Sequence, residues 1–178
     1  MKVLVNWRRR KAEFQYPIEP VPRTAVLDPW FTSKGFKLGS RTQVRIFGRD
    51  QLEDELERFG PQAVAASCGQ LKRCRTKIAP THAVIVLHRA SRFAPLRAAD
   101  REWLWREFRV PVFEQVIGPR GELLATECEA HDGMHIVSPS MRLSGYVDAA
   151  PCACGLKTPR LLPGEPGERL RAVAAYAR

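Results

Sequence analysis

Cys128, His131, His135, Cys152 and Cys154 gather three of the chain's five cysteines and two of its four histidines into one stretch, Thr126 to Leu161. Thiolates and imidazoles are the ligands that borderline-soft cations prefer, and four of them complete a tetrahedron. Cys128, His135, Cys152 and Cys154 therefore form a candidate Cys3His set for a structural zinc ion. His131 is the alternative imidazole. It lies three residues beyond Cys128 and His135 lies seven beyond it, with Gly133 permitting a tight return of the backbone between them. Cys152-Ala153-Cys154-Gly155 is shorter than the usual Cys-x2-Cys knuckle, so ligand type carries more of this inference than spacing does. Two other readings stand beside the metal. The thiols could be ordinary buried cysteines with solvated histidines beside them. A disulfide ranks last, because Cys152 and Cys154 are too close to cross-link usefully and nothing at the N-terminus indicates export. Cys68 and Cys74, with five residues between them, lack the further histidine or cysteine that a second metal would need.

The elements that must position these residues read as α/β. With 178 residues, 44% of them hydrophobic, the chain is the size of one domain with a short appendage. Residues 1–40 read as a basic, Pro-rich N-terminal arm and 41–178 as a single α/β domain. Prolines 17, 20, 22 and 29 predict an extended stretch without regular structure from Tyr16 to Pro29, whose apolar Val26 and Leu27 pack on something. A strand is expected over Thr42–Phe47. Asp50 and Glu53 form a capping box for a helix carrying the stripe Leu52, Leu56 and Phe59, which Gly60-Pro61 stops. Ala63–Ala66 reads as a buried strand and Cys68–Lys77 as a basic, flexible stretch. His82–His88 has the near-continuous apolar character of a strand covered on both faces. Asp100 is placed as the cap of a helix through Phe108, and Val110–Val116 as the next strand. Strand, helix and strand in this rhythm predict a small mixed or parallel sheet flanked by helices. A Cys/His subregion then ends the domain, and Glu168–Tyr176 reads as a closing helix.

Twenty-nine Lys and Arg against nineteen Asp and Glu leave a formal charge of +10. Arg8, Arg9, Arg10 and Lys11 are the strongest candidate anion-binding run, and Lys72–Lys77 a second. A nucleic acid is therefore one expected partner, although no recognition motif accompanies the charge. Met1–Trp7 is too short an apolar run for a signal peptide or a membrane span, so a cytoplasmic protein without a membrane partner is expected. Five cysteines without an obvious pairing agree with a reducing compartment.

From about Leu96 onward the order of residues resembles the phenylacetate-CoA ligase-like branch of the adenylate-forming enzymes. The helix ending at Phe108, followed by Arg109-Val110-Pro111-Val112-Phe113-Glu114, resembles the family's approach to its Tyr-Gly-x-Thr-Glu motif. Thr126-Glu127-Cys128, Asp132-Gly133-Met134-His135 and Pro151-Cys152-Ala153-Cys154-Gly155, with Pro159-Arg160-Leu161, resemble the Cys, Gly-x-His, Cys-x-Cys-Gly and Pro-Arg positions that follow it. In some members such residues hold a structural zinc, so the resemblance implies the same ligand set. The nucleotide motif itself departs. Val116-Ile117-Gly118-Pro119-Arg120-Gly121-Glu122 stands in its place, leaving Gly121 and Glu122 as the only positions that align with its end. No phosphate loop precedes position 96, no ribose-binding Tyr-x-Thr-Gly-Asp lies between His135 and Cys152, and no domain with the catalytic lysine follows.

The resemblance thus implies a scaffold without its active site: a degenerate, non-catalytic relative that keeps zinc, has lost ATP and CoA, and binds a protein partner or a second copy. A component of a split ATP-dependent acyl-CoA ligase, completed by another polypeptide, is the alternative. A hydrolase using Cys68 with His82 or His88, and a nucleic-acid-binding protein, are further alternatives.

Overall fold

The computed structural model describes residues 22–27, 43–47, 54–119, 121–138 and 146–162. Arg8–Lys11, Asp50, Leu52, Glu53 and the expected Glu168–Tyr176 helix lie outside them. Among the described residues the chain forms an α/β fold around a nine-stranded sheet of order β2-β1-β3-β4-β5-β6-β7-β9-β8. The strands are β1 Thr24–Val26, β2 Val44–Ile46, β3 Ala63–Ala66, β4 Ala83–Arg89, β5 Val112–Ile117, β6 Leu123–Glu127, β7 Met134–Ile136, β8 Tyr146–Asp148 and β9 Arg160–Leu162. β2, β1, β3, β4 and β5 pair in parallel, and from β5 onward every pairing is antiparallel. The sheet is mixed for a topological reason. Helices lie in the connections that lead to the parallel strands β3, β4 and β5, whereas the turn Gly118–Glu122 reverses the chain directly from β5 to β6.

Three helices, α1 Asp54–Phe59, α2 Cys68–Cys74 and α3 Ala98–Phe108, place Leu56, Leu71, Leu104 and Phe108 against one sheet face. That face presents Ala25, Val64, Ala66, Val84, Val86 and Val112. The alternate residues Val26, Ala65, Ala83, Ile85, Leu87 and Phe113 form a separate cluster, as a period of two requires. Both sets are buried, so β3 and β4 read as continuous apolar runs for the expected reason. Ile85→Val, which removes one methylene from a fully buried position, is expected to cost about 0.5–1.5 kcal/mol. A lower denaturation midpoint at unchanged slope would show it.

Three local expectations are corrected. The Pro-rich segment is not wholly without regular structure: Thr24–Val26 is an interior strand between β2 and β3. Its backbone groups are used by both neighbours, and Val26 and Leu27 are buried as expected. Cys68–Lys77 is not a flexible stretch but α2 followed by a 3-10 turn, Arg75–Lys77. A Ser67–Gln70 capping box starts it, and the fully buried Leu71 anchors it. α3 begins before Asp100, with Arg97 at its N-cap, and the Asp100 carboxylate accepts from Lys72 Nζ at 2.7 Å instead of capping. The pair joins α3 to α2.

Candidate metal centre

The antiparallel half of the sheet carries the Cys/His tetrad. β6 ends one residue before Cys128, and β7 brings the chain back with His135 opposite Thr126 on β6 and Arg160 on β9. Gly133 makes that return possible. Its φ is +80°, and a Cβ there would lie 2.9 Å from the Leu161 carbonyl oxygen and 2.6 Å from Leu162 Cδ2. Gly133→Ala is therefore expected to lose about 1–3 kcal/mol through backbone strain, read as a drop in thermal midpoint. Cys152 and Cys154 come from a tight turn before β9, closed by the Gly155 N–H donating to the Cys152 carbonyl at 3.0 Å. Gly155 occupies the left-handed region at φ +81°.

The four ligand atoms all lie within 4.8 Å of one another. Cys128 Sγ is 3.6 Å from Cys152 Sγ, and Cys154 Sγ is 3.3 Å from His135 Nε2. Metal–sulfur bonds of about 2.3 Å in a tetrahedron put two sulfurs about 3.8 Å apart, so these spacings fit a shared ion. Burial pushes the Cys128 thiol up to about 12, whereas the Cys154 N–H, ahead of the neighbouring side chains, brings Cys152 down to about 6. Two sulfurs this close do not share two negative charges without a cation; a divalent ion lets both ionise. His135 is 1% exposed. Its Nδ1 lies 2.8 Å from Thr158 Oγ1 and 3.1 Å from the Thr158 carbonyl, and the tautomer in which Nδ1–H donates to that carbonyl would leave the Nε2 lone pair for an ion. Sequence reasoning did not find Thr158, because only the pairing of β7 with β9 brings it to the ring.

His131, the alternative ligand, is placed outside the tetrad. Its ring stacks on Phe113 at 5.0 Å between centroids, and its Nδ1 lies 3.0 Å from Glu127 Oε1. On the other side of the loop Arg160, itself buried, donates to the Asp132 carboxylate and carbonyl, and to Asp148 Oδ2 at 2.5 Å.

A polar network links this region to α3. Glu114 and Glu127 are each 5% exposed. Arg101 donates to Glu114 Oε1 at 2.5 Å, to both Glu127 oxygens at 3.1 Å, and to the Val112 carbonyl at 2.7 Å. Glu114 Oε2 accepts the Leu96 N–H at 2.8 Å, and Glu127 Oε2 accepts the Glu114 N–H at 2.8 Å. His88 Nε2 lies 2.7 Å from Glu114 Oε2, close but off the axis of a hydrogen bond. Burial alone would raise the Glu114 carboxyl, but His88, the Leu96 N–H and Arg101 outweigh it and hold the group below its ordinary 4.5. Because the folded value is depressed, the ionised group adds stability that is complete above pH 4.5 and is lost as pH falls through the lowered value. Glu114→Gln should therefore flatten the acid limb of a stability-against-pH curve, measured by denaturant midpoints.

The remaining sequence candidates are not brought to the tetrad. Cys68 and Cys74 lie at opposite ends of α2, and the Cys74 thiol donates to the Gln70 carbonyl at 2.9 Å. Burial pushes the Cys68 thiol up, the opposite of what a thiolate nucleophile needs. His82 precedes β4 at the far end of the sheet from Cys68. Gly121 and Glu122 form the β5–β6 turn, with Gly121 N–H donating to the Gly118 carbonyl and Gly118 N–H to that of Glu122. In the second basic cluster Lys72 pairs with Asp100 and Arg75 approaches Glu107 at 3.9 Å. Among the described residues no helix is long and apolar enough to cross a membrane.

No family model and no curated protein matches the chain. Among solved structures, it is similar to a 2-hydroxyisobutyryl-CoA ligase in an open conformation, in complex with 2-HIB-AMP and CoA. The TM-score is 0.55 at 12% identity, over 80% of this chain and 44% of that one. The likeness is one of fold. The chain spans less than half the length of that ligase.

Proposed function

We propose that the chain is a zinc-stabilised module on the scaffold of an acyl-CoA ligase-like protein, acting through a protein partner and not through acyl-adenylate formation. The observation that carries this reading is the Cys3His tetrad. Four protein ligands complete a zinc tetrahedron and leave no position for water or substrate, which is the arrangement of a structural ion and not of a catalytic one. Such an ion would fasten β6, β7 and the turn before β9 together. Gly121 and Glu122, the positions that align with the family's nucleotide motif, are engaged in a tight hairpin turn, which supports a scaffold role.

A second reading is one component of a split acyl-CoA ligase, and it rests on the likeness of fold to the ligase structure. Adenylation needs nucleotide, metal and carboxylate held in line by further parts, which another polypeptide would supply. Calorimetric titration of the zinc-loaded chain with magnesium-ATP separates the two. The scaffold reading expects no heat of binding. A saturable one-site isotherm would place the split ligase first.

A further inference from the structure

The metal reading leaves the non-ligand histidine unexplained. His131 is a non-glycine residue at φ +51°, in the left-handed region that costs side-chain-bearing residues energy. Conformations of this kind persist where surrounding contacts over-determine them. Here three contacts do so: the Nδ1–Glu127 interaction, the stack on Phe113, and the His131 N–H donating to the Cys128 carbonyl at 3.0 Å. We propose that His131 is a positioning residue that holds the Cys128–His135 chelate loop at metal distance, through Glu127, which Arg101 on α3 fixes in turn.

The inference rests on the tetrad binding a metal, and follows from where the anchors lie. The loop joins two ligands, and left free it would have to be ordered at the moment of binding. It is instead pinned from both sides. His131 ties one side to Glu127, whose carboxylate is held by Arg101 and by the Glu114 N–H. Arg160 ties the other through Asp132. Glu127 also directly precedes Cys128, so fixing its carboxylate fixes the backbone that carries the first sulfur. His131 does for the loop what Thr158 does for the His135 ring: neither touches the ion, and both set where a ligand stands.

Competition for zinc against a chromophoric chelator tests this on the full chain, with cobalt(II) substitution as a second readout. His131→Ala is expected to bind about tenfold more weakly, within the 10–100-fold range of lost outer contacts, while still taking one ion per chain. Its cobalt absorption bands should stay at the wild-type positions, because no ligand is removed. His131→Gly accepts the left-handed backbone without strain and still lacks the Glu127 contact, so it keeps the test alive if the alanine variant folds poorly. A tenfold loss in His131→Gly with unshifted bands supports the proposal. Wild-type affinity in His131→Gly would overturn it and leave the zinc reading standing. Shifted cobalt bands would also overturn it, making His131 a ligand. A wild-type chain that binds neither ion would overturn both.

Discussion

Stripping the ion from the zinc-loaded chain with a chelator should lower its stability by about 4 kcal/mol, taking loading at free zinc roughly a thousandfold above Kd as the reference. The loss falls on the end of the sheet that has the smaller apolar cluster among the described residues. β7, β8 and β9 are three residues each, and the apolar cluster beneath them comprises Val116, Leu124, Ala125, Met134 and Leu161 with partly buried neighbours. The five parallel strands, by contrast, have apolar clusters on both faces of the sheet. Loss of the ion should therefore act locally first. Hydrogen exchange should rise over 123–162 before it rises in β3 and β4, and Cys152→Ser with Cys154→Ser should give the same pattern without chelator. An unchanged unfolding midpoint after complete removal would show that the thiols are ordinary core residues.

Arg101→Met should destabilise the fold by about 3–5 kcal/mol, the cost of leaving buried charge without its partner. Arg101 is 32% exposed, but the groups it serves are not: Glu114 and Glu127 would remain buried with their shared cation gone. Methionine keeps the length and apolar character of the side chain, so the loss reports charge and hydrogen bonds more than volume. Equilibrium denaturation at pH 7 measures it. Glu114→Gln in the Arg101→Met background should recover part of the loss by removing one uncompensated carboxylate, and a fully additive double variant would contradict the network.

Much of this architecture was legible in the sequence, and the exceptions share a cause. β3 and β4 declare themselves as apolar runs, and the Cys/His cluster that could hold a metal ion as residue types that few other roles bring together. The choice between His131 and His135 was not legible. Both are close to Cys128 in sequence, and only the pairing of β7 with β6 and β9 points His135 at the other ligands. Glu114 was hidden inside an apolar strand because its partners come from α3, β4 and β6. α2 is not legible as a helix because its six polar or small residues conceal one buried leucine. β1 was masked by the prolines around it, and needed neighbours on both sides to become a strand. In each case a contact distant in sequence outweighed the local signal.

Elemental mass spectrometry on the purified chain, beside its Cys152→Ser/Cys154→Ser variant, tests the central claim most directly. One zinc per wild-type chain, and none retained by the variant, is the predicted result. A wild-type chain that carries no metal and takes up none on incubation with zinc, yet unfolds cooperatively, would contradict it.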